Sequence, residues 1–160
     1  MLDMRLGNER DIPFIMNLVR EGITSGAFFY ANGDGLETVK SELQAVTQKY
    51  SANIPVADYL FIFDEQLTRK PVGFALLTGR NNFAGLASHL EIRMFAVSAD
   101  KQGKGIGKSM LNSIIEATPG HRLEASCLPP STKMMGLLAG SGFTIINETQ
   151  GGKKTYRLEG

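Results

Sequence analysis

Residues 95–109, Phe95-Ala96-Val97-Ser98-Ala99-Asp100-Lys101-Gln102-Gly103-Lys104-Gly105-Ile106-Gly107-Lys108-Ser109, decide how the rest of the chain is read. The stretch opens on the end of an apolar run over 89–97 and passes into a segment with glycine at positions 103, 105 and 107. Beyond it Ile106, Met110, Leu111, Ile114 and Ile115 recur at helical spacing, so the glycines stand between a strand and a helix over 104–117. The first N–H groups of a helix have no partner inside it and carry partial positive charge. Glycine lets the chain turn tightly there and lets a bulky anion reach those amides. A pyrophosphate suits such a cradle. The same glycines, taken alone, also suit a plain strand-to-helix turn.

Two other glycine motifs compete and fail. The phosphate loop of nucleotide hydrolases ends in Gly-Lys-Ser, which Gly107-Lys108-Ser109 supplies, but it needs a glycine five positions earlier, where Gln102 stands. Started at Gly105, the dinucleotide fingerprint meets Met110 where its third glycine belongs.

Outward from the loop, the period of the apolar residues changes twice. Upstream, 1–6 alternates as a first strand. Asp11 is placed to cap a helix over 11–22, with Pro13 in its first turn and Ile12, Ile15, Met16 and Val19 on one face. Residues 24–35 read as a loop rich in glycine and aromatics, and Leu36, Val39, Leu43 and Val46 mark a second helix to about Ser51. Runs at 58–64, with Tyr59 to Phe63 dense in aromatics, and at 72–78 form a hairpin. After Asn81–Gly85 breaks the pattern, 89–97 alternates as a strand with Leu90, Ile92, Met94 and Ala96 on one face, and His89, Glu91, Arg93 and Phe95 on the other. Downstream, Pro119-Gly120 stops the helix and 122–128 is a strand. Ser131 caps a short helix through Leu138, closed by Gly140 or Gly142, and 143–148 and 155–158 are the last strands. The order is strand, two helices, three strands, helix, strand, helix, two strands. It predicts one mixed sheet with helices on its faces, in one domain over 1–160.

Composition narrows the function. The chain has 160 residues, 42% of them apolar, enough for a real core and against disorder. A formal charge of +1 without a basic stripe makes nucleic acid a poor partner. No apolar run approaches a membrane span, and the charged N-terminal residues Asp3, Arg5, Glu9, Arg10 and Asp11 do not make a signal peptide. One cysteine, Cys127, forbids an internal disulfide and fits a reducing compartment. These features predict a soluble, cytoplasmic protein without a bound metal. Cys127 has no base or positive neighbour in sequence, so it reads as a buried packing residue.

The pattern Gln-x-x-Gly-x-Gly, met by Gln102, Gly105 and Gly107 a short spacer after Phe95-Ala96-Val97, resembles the acetyl-CoA signature of the GNAT superfamily of N-acetyltransferases. Gly142-Phe143, after a short helix, is similar to the family's closing Gly-Phe, and the likeness extends through the whole order of elements. The resemblance implies a GNAT fold, a mostly antiparallel sheet splayed where the coenzyme lies, and acetyl-CoA as acyl donor. It implies that the loop Gln102, Gly103, Lys104, Gly105, Ile106, Gly107, Lys108 and Ser109 holds the pyrophosphate, with Lys104 or Lys108 adding charge. Phe95, Ala96 and Val97 would then border the pantetheine arm. The implied acceptor is an amine of a small molecule or a protein, and a homodimer is an option for assembly.

The stretch Glu91-Ile92-Arg93-Met94-Phe95-Ala96-Val97 resembles histone-type members, in which a glutamate six residues before the valine is the general base. An alkylammonium must lose a proton before its nitrogen attacks a thioester, and a carboxylate can accept it directly or through water. The other reading of Glu91 is a solvent-facing strand charge paired with Arg93. His89 either relays a proton or shapes the pocket, or is an ordinary strand-end residue. Phe28, Phe29 and Tyr30 either line an acceptor pocket or pack their loop, and Asn82 is a candidate rim contact. The family's usual pattern fails at one place. The tyrosine that protonates the departing thiolate would fall on Leu138, and Ser131 and Thr132 stand where an asparagine is common. Ser131 is therefore the candidate substitute donor, solvent the second, and a non-catalytic acyl-CoA-binding domain the alternative to an enzyme.

Overall fold

The structure is a computed structural model and describes residues 2–26, 35–54, 57–80 and 89–160. The aromatics Phe28, Phe29 and Tyr30 and the candidate rim residue Asn82 lie outside the described residues.

Seven strands form one sheet in the order β1-β2-β3-β4-β5-β7-β6. They are β1 Leu2–Leu6, β2 Asp58–Glu65, β3 Pro71–Arg80, β4 His89–Val97, β5 Arg122–Cys127, β6 Thr144–Glu148 and β7 Lys154–Leu158. Every neighbouring pair is antiparallel except β4 and β5, which run parallel. A parallel step needs a crossover, and α3 Ile106–Ala117 supplies it. The other helices are α1 Ile12–Ser25, α2 Gly35–Ser51 and α4 Thr132–Gly140. Among the described residues no helix is long and apolar enough to cross a membrane.

Each face of the sheet is covered by its own core. On one, Ile15, Val19, Val39 and Leu43 of α1 and α2 pack on Leu60, Ile62, Phe74 and Leu76. On the other, Met110, Leu111 and Ile114 of α3 and Leu138 of α4 pack on Phe63, Ala75, Leu77, Leu90 and Leu123. Burying both faces explains why β2 and β3 read as near-continuous apolar runs.

The alternation expected along β4 is corrected by a bulge. Leu76 pairs with Met94, but Leu77 pairs with Ile92, so Arg93 is an extra residue without a partner on β3. One added residue reverses the phase of side chains. Leu90 and Ile92 therefore join the α3 core, whereas Met94 and Ala96 turn to the α1–α2 core, and Phe95 and Val97 to the α3 side.

Three boundaries also differ from the sequence reading. Asp11 does not cap α1 through its side chain. Instead Asn8 opens a short 3-10 turn in a reciprocal capping box with Asp11. The Asp11 carboxylate also accepts from both Arg5 terminal nitrogens at 2.8 Å. Burial by itself would push that carboxyl up, but the Arg5 and Asn8 hydrogen bonds and the Arg5 charge overcome it and hold it below its ordinary value. Helix α1 runs on to Ser25 and stops at Gly26, whose φ of 82° is left-handed. Helix α3 begins at Ile106, two residues later than expected, because Gly105 is its left-handed N-cap.

The closing Gly-Phe has a plain mechanical cause. Gly142, at φ 93°, donates to Ala139 O, and the Phe143 amide donates to Leu138 O. That is the paired-bond arrangement that ends a helix and satisfies its last carbonyls, and it turns the chain into β6.

Candidate functional site

Strands β4 and β5 pair only from His89/Arg122 to Ile92/Ala125. Past that rung β4 continues to Val97 bonded only to β3, and β5 continues to Cys127 bonded only to β7. The two inner edges therefore part, each with backbone groups facing the gap. The gap is a cleft of about 590 Å³, within the range of small-molecule sites. Its walls are Phe95, Ala96 and Val97 from β4, Ala125, Ser126 and Cys127 from β5, and Leu18, Gly22 and Ser25 from α1. The loop contributes Gln102, Gly103, Gly105, Ile106 and Gly107, and α4 contributes Ser131, Thr132, Lys133, Met134 and Leu137.

The loop reaches this position in three steps. The Ser98 amide bonds Val72 O, and a 3-10 turn Ala99–Lys101 follows. The Gln102 side chain folds back, its Nε2 donating to Val97 O at 3.1 Å, which ties the loop to the end of β4. Gly103 and Gly105 then take φ of 76° and 79°. A Cβ at either would meet nothing within 4 Å. These two glycines are thus required by the left-handed backbone rather than by crowding, and their outer side is open. No side chain caps α3, so its first-turn amides keep free donors at the loop. Donors of this kind, on an open glycine turn at a helix start, are the arrangement that holds a phosphate group. The residues present fit a coenzyme diphosphate, with the unpaired edges of β4 and β5 fitting an extended, amide-bearing arm beside them.

The predicted residues divide into those in the cleft and those beside it. Phe95, Ala96, Val97, Gln102, Gly103, Gly105, Ile106, Gly107 and Ser131 line it. Lys104, Lys108 and Ser109 do not; they are exposed on the loop's outer side and on α3. Lys104 precedes the helix, between the two left-handed glycines, and on α3 itself only one face meets the cleft and Gly107 occupies it, where an added Cβ would touch Leu137, Val97 and Phe95.

Glu91 and His89 also stand outside the cleft lining. Glu91 sits one rung before the fork, with Thr78 and Glu124 as its register neighbours. His89 Nε2 is 3.0 Å from Glu124 Oε2, within ion-pair distance though not aligned as a hydrogen bond. Glu124 is also held by Arg157, whose Nε donates to it at 2.8 Å. The pairing expected between Glu91 and Arg93 is not the one Arg93 makes: its Nη2 donates to Glu42 at 2.9 Å.

Ser131 occupies the N-cap of α4 without making a side-chain cap hydrogen bond, contrary to the expected cap, so its hydroxyl stays available to the cleft. Leu138 is fully buried in the α3-side core. Burial pushes the Cys127 thiol up to about 11, so it stays protonated at neutral pH and is a poor nucleophile, although its residue helps to form the cleft wall. Sequence reasoning missed Lys101, Lys133 and Ser126 as cleft residues. Their positions follow from the β4–β5 fork, which no local pattern encodes.

The sequence pattern of the acetyltransferase (GNAT) family matches residues 31–143. No curated protein matches the chain. Among solved structures, yncA of Salmonella typhimurium, with its cofactor acetyl-CoA, superposes with a TM-score of 0.74 at 16% identity, covering 99% of this chain and 94% of that one. The ribosomal-protein-S5-alanine acetyltransferase of Vibrio fischeri gives 0.71 at 19% identity, covering 99% and 92%. NAA60 of Arabidopsis thaliana, in complex with a bisubstrate analogue, gives 0.71 at 12%, covering 99% of each chain. At such identities the likeness is one of fold.

Proposed function

The chain belongs to the acetyltransferase (GNAT) family, and from that premise we propose that it is an N-acetyltransferase, one domain over 1–160, in which a primary amine attacks the thioester of acetyl-CoA directly. The observation that carries this reading is the open left-handed turn at Gly103 and Gly105, set at the mouth of the β4–β5 fork. Bound there, the coenzyme supplies an activated acetyl thioester.

The roles of the chain's residues follow from their positions. Amides from Gln102 to Lys108 hold the diphosphate. Phe95 and Val97 offer main-chain partners to the pantetheine arm, and an amide of this edge polarises the thioester carbonyl. Glu91, one rung behind the fork and outside the cleft wall, takes the amine proton through water rather than by contact. Ser131, whose hydroxyl caps nothing, donates to the departing sulfur. The acceptor is a small-molecule amine or a protein amine.

A panel of polyamines, amino acids, aminoglycosides and peptides with free N-termini, incubated with acetyl-CoA while thiol release is followed, tests the reading. Turnover with at least one amine is the expected result, and its absence across the panel overturns it. A second reading, a domain that binds acyl-CoA without transfer, is favoured by the burial of Leu138 at the usual acid position. It requires coenzyme binding by calorimetry together with that silent panel.

A further inference from the structure

The sequence offers Lys104 and Lys108 as the cations of the loop, but neither lines the cleft. Two other lysines do: Lys101 and Lys133. They differ in what holds them. Lys101 Nζ is 3.1 Å from Glu65 Oε2, so its charge is already met. Lys133, in the first turn of α4, has no carboxylate within ion-pair distance among the described residues. Its Nζ rests instead on Gln102 Oε1 at 3.4 Å. The Gln102 amide is itself oriented, because its other end donates to Val97 O. A chain of contacts thus runs from the end of β4 through Gln102 to an exposed, uncompensated ammonium on α4.

We propose that Lys133 is the cation that pairs with the diphosphate of the coenzyme, reaching it from α4 across the cleft from the loop amides. The inference rests on the acetyl-CoA reading above and adds a binding residue to it. Neutral amides alone bind an anion by dipoles, and an unpaired ammonium adds a charge-assisted contact of roughly double strength. Gln102 is neutral, so it brings no charge of its own; it steers one. The contact with its Oε1 keeps the Lys133 stem over the loop rather than extended into water, which lowers the cost of ordering a long side chain on binding. The diphosphate, rather than the ribose 3′-phosphate, is assigned because Gln102 begins the same turn as Gly103 and Gly105, and all three line the cleft.

Calorimetric titration of coenzyme A and of 3′-dephospho-coenzyme A into wild type, Lys133→Met and Lys133→Arg separates the outcomes. Lys133→Met is expected to weaken both ligands by the same factor, about five- to tenfold at low salt. The gap should narrow as salt is raised, since the contact is exposed. Lys133→Arg should stay within about twofold of wild type, and Lys49→Met, which removes the same charge from an exposed site on α2, should change nothing. If only coenzyme A is weakened and the dephospho form is not, Lys133 serves the 3′-phosphate and the diphosphate assignment is overturned. Equal affinities of wild type and Lys133→Met for both ligands remove Lys133 from binding while leaving the acetyl-CoA reading intact. Failure of wild type to bind either ligand sinks that reading itself, and the Lys133 assignment with it.

Discussion

At the loop end of the cleft the groups offered to a ligand are backbone amides, set by the left-handed glycines Gly103 and Gly105. At the β4–β5 fork the groups proposed to act are side chains, Ser131 on the cleft wall from α4 and Glu91 one rung behind the fork on β4. The first kind of site fails when φ is disturbed and is only weakened when a side chain such as Lys133 is changed. The second tolerates small backbone changes and fails when one functional group is exchanged. The comparison sorts mutations into two classes with different readouts, binding for the loop and turnover for the fork.

The largest expected effect is at the fork. Glu91→Gln keeps the shape of the side chain and removes its basicity. A general base is worth roughly 10²–10⁴-fold, and one acting through water belongs in the lower half of that range. The expected result is a kcat lower by about 10²–10³ with the acetyl-CoA Kd unchanged. Undiminished turnover would take Glu91 out of the mechanism and leave the fork without its proposed base.

Next comes the loop. Gly105→Val puts a β-branched side chain at φ 79°, where even an unbranched L-residue loses about 1–2 kcal/mol. Gly105 lines the cleft and an added Cβ meets no protein atom within 4 Å, so the new side chain is free to compete with the phosphates proposed to bind at this turn. Acetyl-CoA affinity should fall about a hundredfold, with a drop of a few degrees in Tm. Normal affinity in this variant would mean that the coenzyme is not held by this turn, and the division into a backbone end and a side-chain end would collapse.

Leu138→Tyr sharpens the comparison from the other side. It restores the hydroxyl that the resemblance leads one to look for, at a position with no exposed surface. Overpacking a filled core costs about 1–3 kcal/mol. The expected outcome is a lower Tm and no gain in kcat. A gain in turnover would show that α4 can turn this position toward the cleft.

How much of this was readable beforehand follows the same division. The loop was legible because its requirement is written in the chain itself: glycine where φ must be positive, and helical spacing directly after it. The end of the last helix was legible only to within Gly140 or Gly142, and the left-handed backbone falls on Gly142. The order of elements followed from local period. What the sequence hid was registration between distant segments. The bulge at Arg93 depends on how β3 and β4 align, and it reversed the faces assigned to Met94 and Ala96. Lys133 is an ordinary lysine on a short helix until α4 is set beside the Gln102 loop. Lys104 and Lys108, by contrast, look attractive because they are adjacent to the glycines in sequence, but adjacency says nothing about which side of the turn a side chain leaves from.

The smallest expected effect falls on Ser131, and it is informative because two explanations of the leaving group diverge there. An N-cap serine exchanged for alanine usually costs about 1 kcal/mol of stability. Here the hydroxyl makes no cap hydrogen bond, so Ser131→Ala should leave Tm within about a degree of wild type. Any change in kcat then reports the hydroxyl's part in the reaction rather than a loosened helix. If Ser131 protonates the departing sulfur, kcat should fall about three- to tenfold. The loss should shrink as pH rises past the thiol's ordinary range near 8.5, where the sulfur leaves readily as thiolate. A variant with wild-type kcat at every pH would mean that solvent receives the thiolate throughout. The side-chain end of the cleft would then consist of a base without a paired acid, and a buried leucine at position 138 would cost the reaction nothing.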